Sequence, residues 1–353
     1  MRLSISLGES PCISSLKVRG FTASPQTPNL SISVIVTAFN RREYLRYALL
    51  SLKNQEADSF EVVVSKNFSD RVTDKFCSEN GFINVTTDSS RSGERVYDAL
   101  RSSHGDFILF LDDDDIFRRT KISRVSDVIS KRNVAFYRNA IFPVTVDGVI
   151  ATHYQPQMHD PLYLILERVS DVRLLHRHAC DFNSSSMGIS RSMLDSHASD
   201  LRKINLAVDT FYFALAASSR MPLFCDSMIE SIYRIMPSST SRDLRDFYLF
   251  SRFERSFLRR YVPDLERIAE IVEGSPAKPV IGRMLSLYKI LQYVFEEDRV
   301  NLKPSPLDRV RFLLERPFPY SLLYSRIFRD AAMRSEFRRE NRIVYGNADR
   351  RRR

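Results

Sequence analysis

Three short apolar runs alternate with helical patterns in the first third of the chain. The runs are residues 31–39 (SISVIVTAF), 60–64 (FEVVV) and 107–111 (FILFL). Behind the first run, apolar side chains recur at helical spacing, at Tyr44, Leu45, Ala48, Leu49 and Leu52. Strands that alternate with helices predict a parallel sheet with helices on its faces. The sequence therefore predicts an α/β fold with a doubly wound, mostly parallel sheet.

Polar clusters follow all three predicted strands, at residues 37–41, 65–70 and 112–115. In such sheets the ligand crevice lies outside the carboxyl ends of the strands, so we expect these clusters to meet on one rim. Neither G-x-G-x-x-G nor G-x-x-x-x-G-K-[ST] follows any of these strands. Their absence from the sequence disfavours a dinucleotide-binding or P-loop protein.

The third cluster is a run of four aspartates, residues 112–115, directly behind an apolar strand. Neighbouring carboxylates repel one another and raise each other's pKa unless a cation shares the site. Hard divalent cations with carboxylate ligands are the usual solution, which indicates a metal–diphosphate site. The alternative is an acidic loop or helix N-terminus, where the helix dipole favours aspartate.

These motifs together resemble the family 2 inverting glycosyltransferases of the prokaryotic type. Those enzymes have the GT-A fold and use nucleoside-diphosphate sugars as donors. The matching segments are VIVTAFNR (34–41), FEVVV with its following loop, HGDFILFLDDDD (104–115), NLAVDTFYFAL (205–215) and YRIMPSSTS (233–241). The resemblance covers about residues 31–241. It implies metal-dependent transfer of a sugar to a hydroxyl of a glycan or lipid-linked acceptor.

The resemblance also implies roles for the aspartate run. The family's D-x-D motif falls on Asp112 and Asp114, and the register Asp113 and Asp115 stays open. Asp114, with Asp115 adjacent, is the expected ligand of Mg²⁺ or Mn²⁺, while Asp112 and Asp113 are expected beside the donor. A metal there bridges the donor diphosphate and neutralises charge that develops on the leaving group.

Other donor-binding residues are also implied by the resemblance. The first nucleotide-contacting loop matches Thr37, Ala38, Asn40 and Arg41. In the second loop, Ser65 and Lys66 replace a usual pair of aspartates, and Asn67 and Asp70 remain as polar groups. Arg95 is the best substitute for an upstream Arg-Asn pair, because arginine suits phosphate contacts. Met236 replaces a late histidine, and the donor base stays open among uracil, guanine and thymine.

Asp209 is the candidate general base, since it matches the family's acidic residue downstream of D-x-D. Inverting transfer needs one carboxylate that removes the proton from the attacking hydroxyl. Residues 210–217 behind Asp209 have helical periodicity. The alternative is therefore that Asp209 merely caps this helix.

A basic, aromatic-rich helical region is predicted for residues 242–353, after a catalytic domain at 31–241 and a loose extension at 1–30. In its first helix one face is apolar and arginines surround it. The apolar face comprises Leu244, Phe247, Phe250, Phe253, Phe257 and Leu258, and the arginines are Arg242, Arg245, Arg252, Arg255, Arg259 and Arg260. Breaks are predicted at Pro263, Gly274, Pro304 and Pro317.

A formal net charge of +10 and an isoelectric point near 9.5 suggest an acidic partner. We favour an anionic membrane surface over nucleic acid, because no nucleic-acid-binding motif is present. The neutral alternative is that the arginines form solvated helix faces. The four cysteines lack C-x-x-C spacing, and no apolar run approaches the ~18 residues that span a bilayer. We expect a cytoplasmic protein, peripheral on the inner face of the membrane.

Two functions from other classes stay open. A nucleotidyltransferase acting on a sugar phosphate also uses a metal-binding acidic strand end. A catalytically inactive scaffold that binds nucleotide sugars is the second, because a base-contacting aspartate is missing from the loop at Ser65 and Lys66.

Overall fold

A computed structural model describes residues 30–57, 59–151, 160–236, 246–296, 304–315 and 329–345. Within these ranges the strands are β1 (Ile32–Ala38), β2 (Glu61–Lys66), β3 (Ile83–Thr86), β4 (Phe107–Asp112), β5 (Ile116–Phe117), β6 (Phe136–Thr145), β7 (Leu162–Ile165), β8 (Met187–Ser190) and β9 (Pro222–Ile235). The helices of the first two thirds are α1 (Leu45–Lys53), α2 (Arg71–Glu79), α3 (Ser92–Arg101), α4 (Lys121–Arg132), α5 (Val169–Arg177), α6 (Arg191–Ser196), α7 (Ala198–Leu201) and α8 (Val208–Ser218), with a 3₁₀ turn at Ser184–Ser186. The last third contains α9 (Phe247–Ile271), α10 (Lys278–Phe295), α11 (Pro306–Glu315) and α12 (Arg329–Tyr345).

One nine-stranded sheet organises the molecule, in the order β3-β2-β1-β4-β8-β6-β9-β5, with β7 also paired to β9. Strands β3, β2, β1 and β4 are parallel, β8 runs antiparallel to β4 and β6, and β6 is parallel to β9. The prediction of an α/β fold with a mostly parallel sheet and helices toward the C-terminus is confirmed.

The three central strands are apolar runs because both faces of the sheet are covered. On one face Val34, Val36 and Leu109 pack against α1 and α4. On the other, Ile35, Ile108 and Phe110 pack against α3 and the mostly buried helix α8. Phe110 stacks on Tyr212 of α8 with ring centroids 4.0 Å apart. This double burial holds the carboxyl ends of β1, β2 and β4 in fixed register.

The C-terminal helices form a third apolar cluster. Phe250 and Leu258 of α9 are fully buried beside Ile290 and Val294 of α10 and Met333 of α12. The apolar face predicted for this region therefore packs inside the protein. Leu244, Arg242 and Arg245, the N-terminal extension before residue 30, and residues 237–241 of the last matching segment lie outside the described residues.

The break predicted at Pro263 was wrong, because α9 runs through Pro263 without interruption. Proline in a helix removes one hydrogen bond and costs about 3 kcal/mol. Burial of its neighbours Val262, Asp264 and Leu265 offsets this cost. Asp264 in particular bonds α9 to the segment that precedes α8.

Candidate active site at the carboxyl edge of the sheet

The aspartate run emerges where β1 and β4 end side by side. Thr37 and Asp112 are register partners, and the Thr37 hydroxyl donates to Asp112 Oδ1 at 3.2 Å. The Asp113 backbone N–H donates to the Thr37 carbonyl at 3.2 Å. Ser184 Oγ donates to Asp112 Oδ2 at 2.6 Å. Both carboxylate oxygens of Asp112 are thus already hydrogen-bonded, so Asp112 positions the loop that follows it.

Arg41 is the resident cation of the aspartate run. Its guanidinium forms ion pairs with Asp113 and Asp114. Burial alone lowers the pKa of Arg41, but Asp114 and Asp113 outweigh burial and raise it above its usual value. Arg41, which was expected to contact a nucleotide, therefore neutralises Asp113 and Asp114.

Asp113 and Asp114 have the oxygens best placed for a metal ion. Asp113 Oδ2 is buried and has no hydrogen-bond partner, and the Asp114 side chain remains 11% exposed. Burial and the neighbouring carboxylates raise the pKa of both residues, although Arg41 opposes this. Mg²⁺ typically takes one or two carboxylates plus substrate phosphates, so this pair fits such an ion. No group of three or more His, Cys, Asp or Glu side chains within the described ranges is arranged to hold a metal.

Asp115 lies behind this pair, fully buried. Its two oxygens accept hydrogen bonds from Asn183 Nδ2 at 2.8 Å and from the Arg234 backbone N–H at 2.9 Å. Burial and the adjacent carboxylates raise its pKa well above the usual value. This arrangement favours Asp114 over Asp115 as the metal ligand.

Two residues at this edge were not singled out from the sequence. Asn183 has a positive φ of 67° and contacts both Asp115 and, through its backbone N–H, Asp209 Oδ2 at 3.2 Å. Arg234 stacks over Tyr44 with its guanidinium carbon 4.8 Å from the ring centroid, and its Nη1 is buried without a partner. The run Asn183–Ser186 before a short strand is a turn signal that would have indicated the first of them.

The second predicted loop pairs with the first through two asparagines. Asn67 accepts from the Asn40 backbone N–H at 2.8 Å and donates to Asn40 Oδ1 at 2.7 Å. Asn40 has a φ of 58°, in the left-handed region. Lys66 is buried and bonds to Asp74 at 2.7 Å. The ends of β1 and β2 thus meet as predicted, with Ala38 buried beneath them.

Arg95 lies under the same rim, on α3. Its guanidinium covers the Phe39 ring at 4.7 Å and donates to Ser92 Oγ at 2.9 Å. The side chain is buried and its Nε has no hydrogen-bond partner. Burial lowers the pKa of Arg95 to about 10, and Asp112 opposes this shift.

Asp209 is the second residue of α8 and not its N-cap, which is Ala207. It accepts from the N–H groups of Thr210 at 2.8 Å and Asn183 at 3.2 Å. Burial raises the pKa of Asp209 to about 7, although these two N–H groups lower it. A carboxylate with a pKa near neutrality suits a general base.

Helix α9 holds the segment that leads to Asp209. Buried Asp264 accepts from the backbone N–H groups of Asn205, Leu206 and Ala207 at 2.7 to 3.1 Å. Tyr261 Oη lies 3.1 Å from Thr210 Oγ1. Helix α9 therefore holds the segment before Asp209 and the residue after it.

Several known or putative glycosyltransferases are similar to this chain in sequence. Residues 33–197 match the sequence profile of Glycosyl transferase family 2. An uncharacterized glycosyltransferase of Haemophilus influenzae is 31% identical over 143 residues, covering 39% of this chain and 47% of that protein. The putative glycosyltransferase EpsH of Bacillus subtilis is 27% identical over 95 residues, covering 26% of this chain and 27% of EpsH. The chain thus spans half or less of the length of these curated relatives.

Solved structures share the fold at low identity. S. aureus TarS 1–349 in complex with UDP-GlcNAc has a TM-score of 0.54 and 15% identity, covering 88% of this chain and 92% of that one. The mannosyltransferase PcManGT from Pyrobaculum calidifontis, in complex with GDP-Man and Mn²⁺, has a TM-score of 0.52 and 13% identity, covering 91% and 88%. Residues 33–197 are therefore similar to family 2 glycosyltransferases, and the chain shares the fold of these solved structures.

Proposed function

We propose that the protein is a metal-dependent inverting glycosyltransferase that moves a sugar from a nucleoside-diphosphate sugar to a hydroxyl of a glycan or lipid-linked acceptor. The observation that supports this most is the connection between Asp209 and the aspartate run. Asn183 bonds to both Asp209 and Asp115, so the base and the diphosphate-binding edge are parts of one hydrogen-bonded unit.

The donor is proposed to lie along the ends of β1, β2 and β4. Thr37, Ala38, Asn40, Arg41 and Asn67 line the two loops, and Arg95 supplies a buried positive charge beneath them. Arg41 neutralises Asp113 and Asp114 before a donor binds. When a diphosphate approaches, Arg41 is positioned to pair with it, because a guanidinium binds phosphate as well as carboxylate.

Asp209 would take the proton of the acceptor hydroxyl as that oxygen attacks the anomeric carbon. With its pKa raised to about 7 by burial, Asp209 holds and releases a proton near neutral pH. Attack from the face opposite the leaving group inverts the anomeric centre. A Mg²⁺ or Mn²⁺ ion held by Asp114 would neutralise charge on the departing nucleoside diphosphate.

The donors in the related crystal structures, UDP-GlcNAc with TarS and GDP-Man with PcManGT, span two nucleotide bases. Uridine and guanosine donors therefore enter the test together with thymidine donors. The experiment is a panel of these nucleotide sugars with Mg²⁺ or Mn²⁺, read by release of nucleoside diphosphate. Release of nucleoside diphosphate from one of these donors supports the proposal. Turnover of nucleoside triphosphates with sugar phosphates would favour a nucleotidyltransferase. Absence of both kinds of turnover would favour a scaffold.

We also propose that the C-terminal helices bind the anionic inner surface of the cell membrane. No helix in the described ranges combines the length and apolarity that crossing a bilayer requires. On α11, however, Leu307, Val310 and Leu313 are half exposed, at 55%, 56% and 50%. Exposed Arg309 lies beside them, a pattern that suits an interfacial helix.

A further inference from the structure

Arg138 is a fully buried cation on β6, between β8 and β9. None of its guanidinium nitrogens has a hydrogen-bond partner in the part of the chain that the structure describes. A buried charge is costly unless a group of opposite charge compensates it. Because arginine stays protonated in proteins, we searched the surroundings of this guanidinium for a group that can become an anion.

Two cysteines lie beside Arg138. Cys225 of β9 is its register partner, and paired residues of neighbouring strands lie on the same face of the sheet. Cys180 belongs to the same buried cluster as Cys225, and their side chains share a hydrogen bond. Both are separate thiols in the structure. The charge of Arg138 acts on both sulfurs, so the thiol pair is the acidic group that the arginine faces.

Cys180 is the more acidic member of the pair. A hydrogen bond from the Cys225 thiol lowers the pKa of Cys180, and Arg138 adds to this effect, although burial opposes both. The same hydrogen bond and burial raise the pKa of Cys225 well above its usual value. The thiolate is the nucleophilic form of cysteine. The pair therefore combines an attacking sulfur with a second sulfur that can resolve its oxidised form.

The turn that carries Cys180 leads to the candidate active site. Three residues after Cys180, Asn183 bonds to both Asp209 and Asp115. The turn is also close to the surface, since Arg177 is exposed. A small oxidant thus has a short path to the Cys180 sulfur, and a movement of that sulfur is close to the hydrogen bonds of Asn183.

We propose that Cys180 and Cys225 are a reversible oxidation site, at which hydrogen peroxide converts the two thiols into a disulfide. The Cys180 sulfur attacks one peroxide oxygen, the O–O bond breaks, and the departing hydroxide takes the Cys180 proton, which gives a sulfenic acid and water. The Cys225 sulfur then attacks the Cys180 sulfur and displaces hydroxide, which leaves as water with the Cys225 proton. The two thiols lose two electrons, and the peroxide is reduced to two waters. A dithiol reverses the reaction by thiol–disulfide exchange.

The disulfide should slow sugar transfer, and this consequence rests on the proposed glycosyl transfer. A disulfide holds its sulfurs about 2.0 Å apart, closer than two thiols in contact. Cys225 is held by β6 on one side of β9 and by β7 on the other, so the turn at Cys180 is the part that moves. That movement displaces Asn183, and Asp209 loses the N–H group that it accepts from Asn183.

Peptide mapping of the full chain tests the oxidation site, after treatment with hydrogen peroxide and alkylation of the remaining thiols. Trypsin should release Cys180 within residues 178–191 and Cys225 within residues 221–234. We expect these two peptides to be joined by a bond that dithiothreitol breaks. Cys77 is the internal control, because burial raises its pKa to about 11 and it belongs to a different apolar cluster. Absence of the linked peptides, or oxidation of Cys77 at the same rate, would overturn the proposal.

Two substitutions of Arg138 test its action on Cys180. Arg138→Lys keeps the positive charge, whereas Arg138→Met removes it with a side chain of similar length. We expect the disulfide to form about tenfold more slowly in Arg138→Met, because raising the Cys180 pKa by about one unit leaves about a tenth of the thiolate. Arg138→Lys should react at close to the wild-type rate. Equal rates in the two variants would refute activation by the arginine, and if either fails to fold, the wild-type peptide map still decides the site.

The effect on transfer is measured with wild type, Cys180→Ser and Cys77→Ser, before and after peroxide. We expect oxidised wild type and Cys77→Ser to slow by about tenfold or more, since misplacing a catalytic group by about 1 Å can cost about 100-fold. Dithiothreitol should restore both, and Cys180→Ser should keep its rate throughout. Undiminished transfer by wild type that carries the disulfide would refute the link to Asn183. Absence of transfer in every reduced sample would instead refute glycosyl transfer, while the peptide map still decides the oxidation site.

Discussion

The surroundings of Asp209 set its pKa, and the backbone conformation of Asn183 sets its hydrogen bonds. Asp209 is acidic by sequence, but burial raises its pKa to about 7. Asn183 adopts a left-handed backbone conformation, which is uncommon for a non-glycine residue and is found most often at asparagine and aspartate. In that conformation its backbone N–H donates to Asp209 and its side chain to Asp115. Asp209 and the aspartate run are joined by this one residue.

Replacing Asp209 by Asn should lower the transfer rate by two or more orders of magnitude, about the range of general-base loss. The donor should still bind, since amide and carboxylate are nearly isosteric and Asp209 is not the helix N-cap. In the wild type, kcat/KM should fall about tenfold per pH unit below pH 7, because protonated Asp209 cannot accept the hydroxyl proton. Transfer by Asp209→Asn within a few fold of wild type would assign the base elsewhere, with Asp181 and Asp200 as the next candidates.

The same substitution should change stability in a pH-dependent way. Burial raises the pKa of Asp209 in the folded protein to about 7, above that of an exposed aspartate, so ionised Asp209 destabilises the native state above about pH 7 and the penalty disappears below about pH 4. Asp209→Asn should therefore be more resistant to urea than wild type at pH 8, and equal to it at pH 4. The measurement is the midpoint of urea unfolding at the two pH values.

Asp114→Ala should abolish turnover and most of its metal dependence, because a ligand and a charge leave the site. The protein should still fold, since removing one of four repelling carboxylates relieves the raised pKa values of Asp113 and Asp115. Asp195→Ala, at an exposed position on α6, is the matched control. Turnover that persists in wild type with chelator present would contradict a metal role.

At the scale of elements, the first half of the sheet was predictable and the second half was not. Strands β1, β2 and β4 are mostly apolar and buried on both faces, and their pattern indicates strand directly. Strand β9 contains Asp226, Glu230 and Ser231, all buried and paired with groups distant in sequence, such as Arg124 and Thr120. These polar residues interrupt the apolar pattern by which a buried strand is predicted from sequence. Their partners are known only from the tertiary structure.

Helix α9 links the C-terminal region to the candidate active site through Asp264. Asp264→Ala would leave the N–H groups of Asn205, Leu206 and Ala207 without their acceptor. Each buried donor left unsatisfied costs about 1 to 3 kcal/mol, so we expect the free energy of unfolding to drop by about 3 kcal/mol or more. Transfer should also slow, because the segment before Asp209 loosens.

Glu266→Ala on the same helix is the control for Asp264. Glu266 pairs with Lys289 at 2.8 Å and is 48% exposed, and exposed ion pairs contribute about 0 to 1 kcal/mol. Chemical denaturation of both variants gives the comparison. Equal loss of stability in the two would mean that Asp264 does not fix the segment leading to Asp209.

At the scale of the whole molecule, the sequence predicted an apolar face on α9 with arginines around it, but not whether that face binds a membrane or packs on the catalytic domain. In the structure Phe250 and Leu258 of this face are interior. Sequence periodicity indicates which face of a helix is apolar, but not what covers that face. In the described ranges α11 has an exposed row of apolar side chains, while the arginines of α9 line a pocket.

Full-length protein should float with vesicles that contain anionic lipid, and should dissociate as salt is raised, since each basic residue near an anionic leaflet contributes about 1 kcal/mol. Val310→Glu should weaken this binding, because it places a negative charge in the exposed apolar row of α11 between Leu307 and Leu313. Val72→Glu, on α2 at 65% exposure, makes the same charge change elsewhere and should float like wild type. Equal binding to neutral and anionic vesicles, or none to either, would remove the membrane from the proposal.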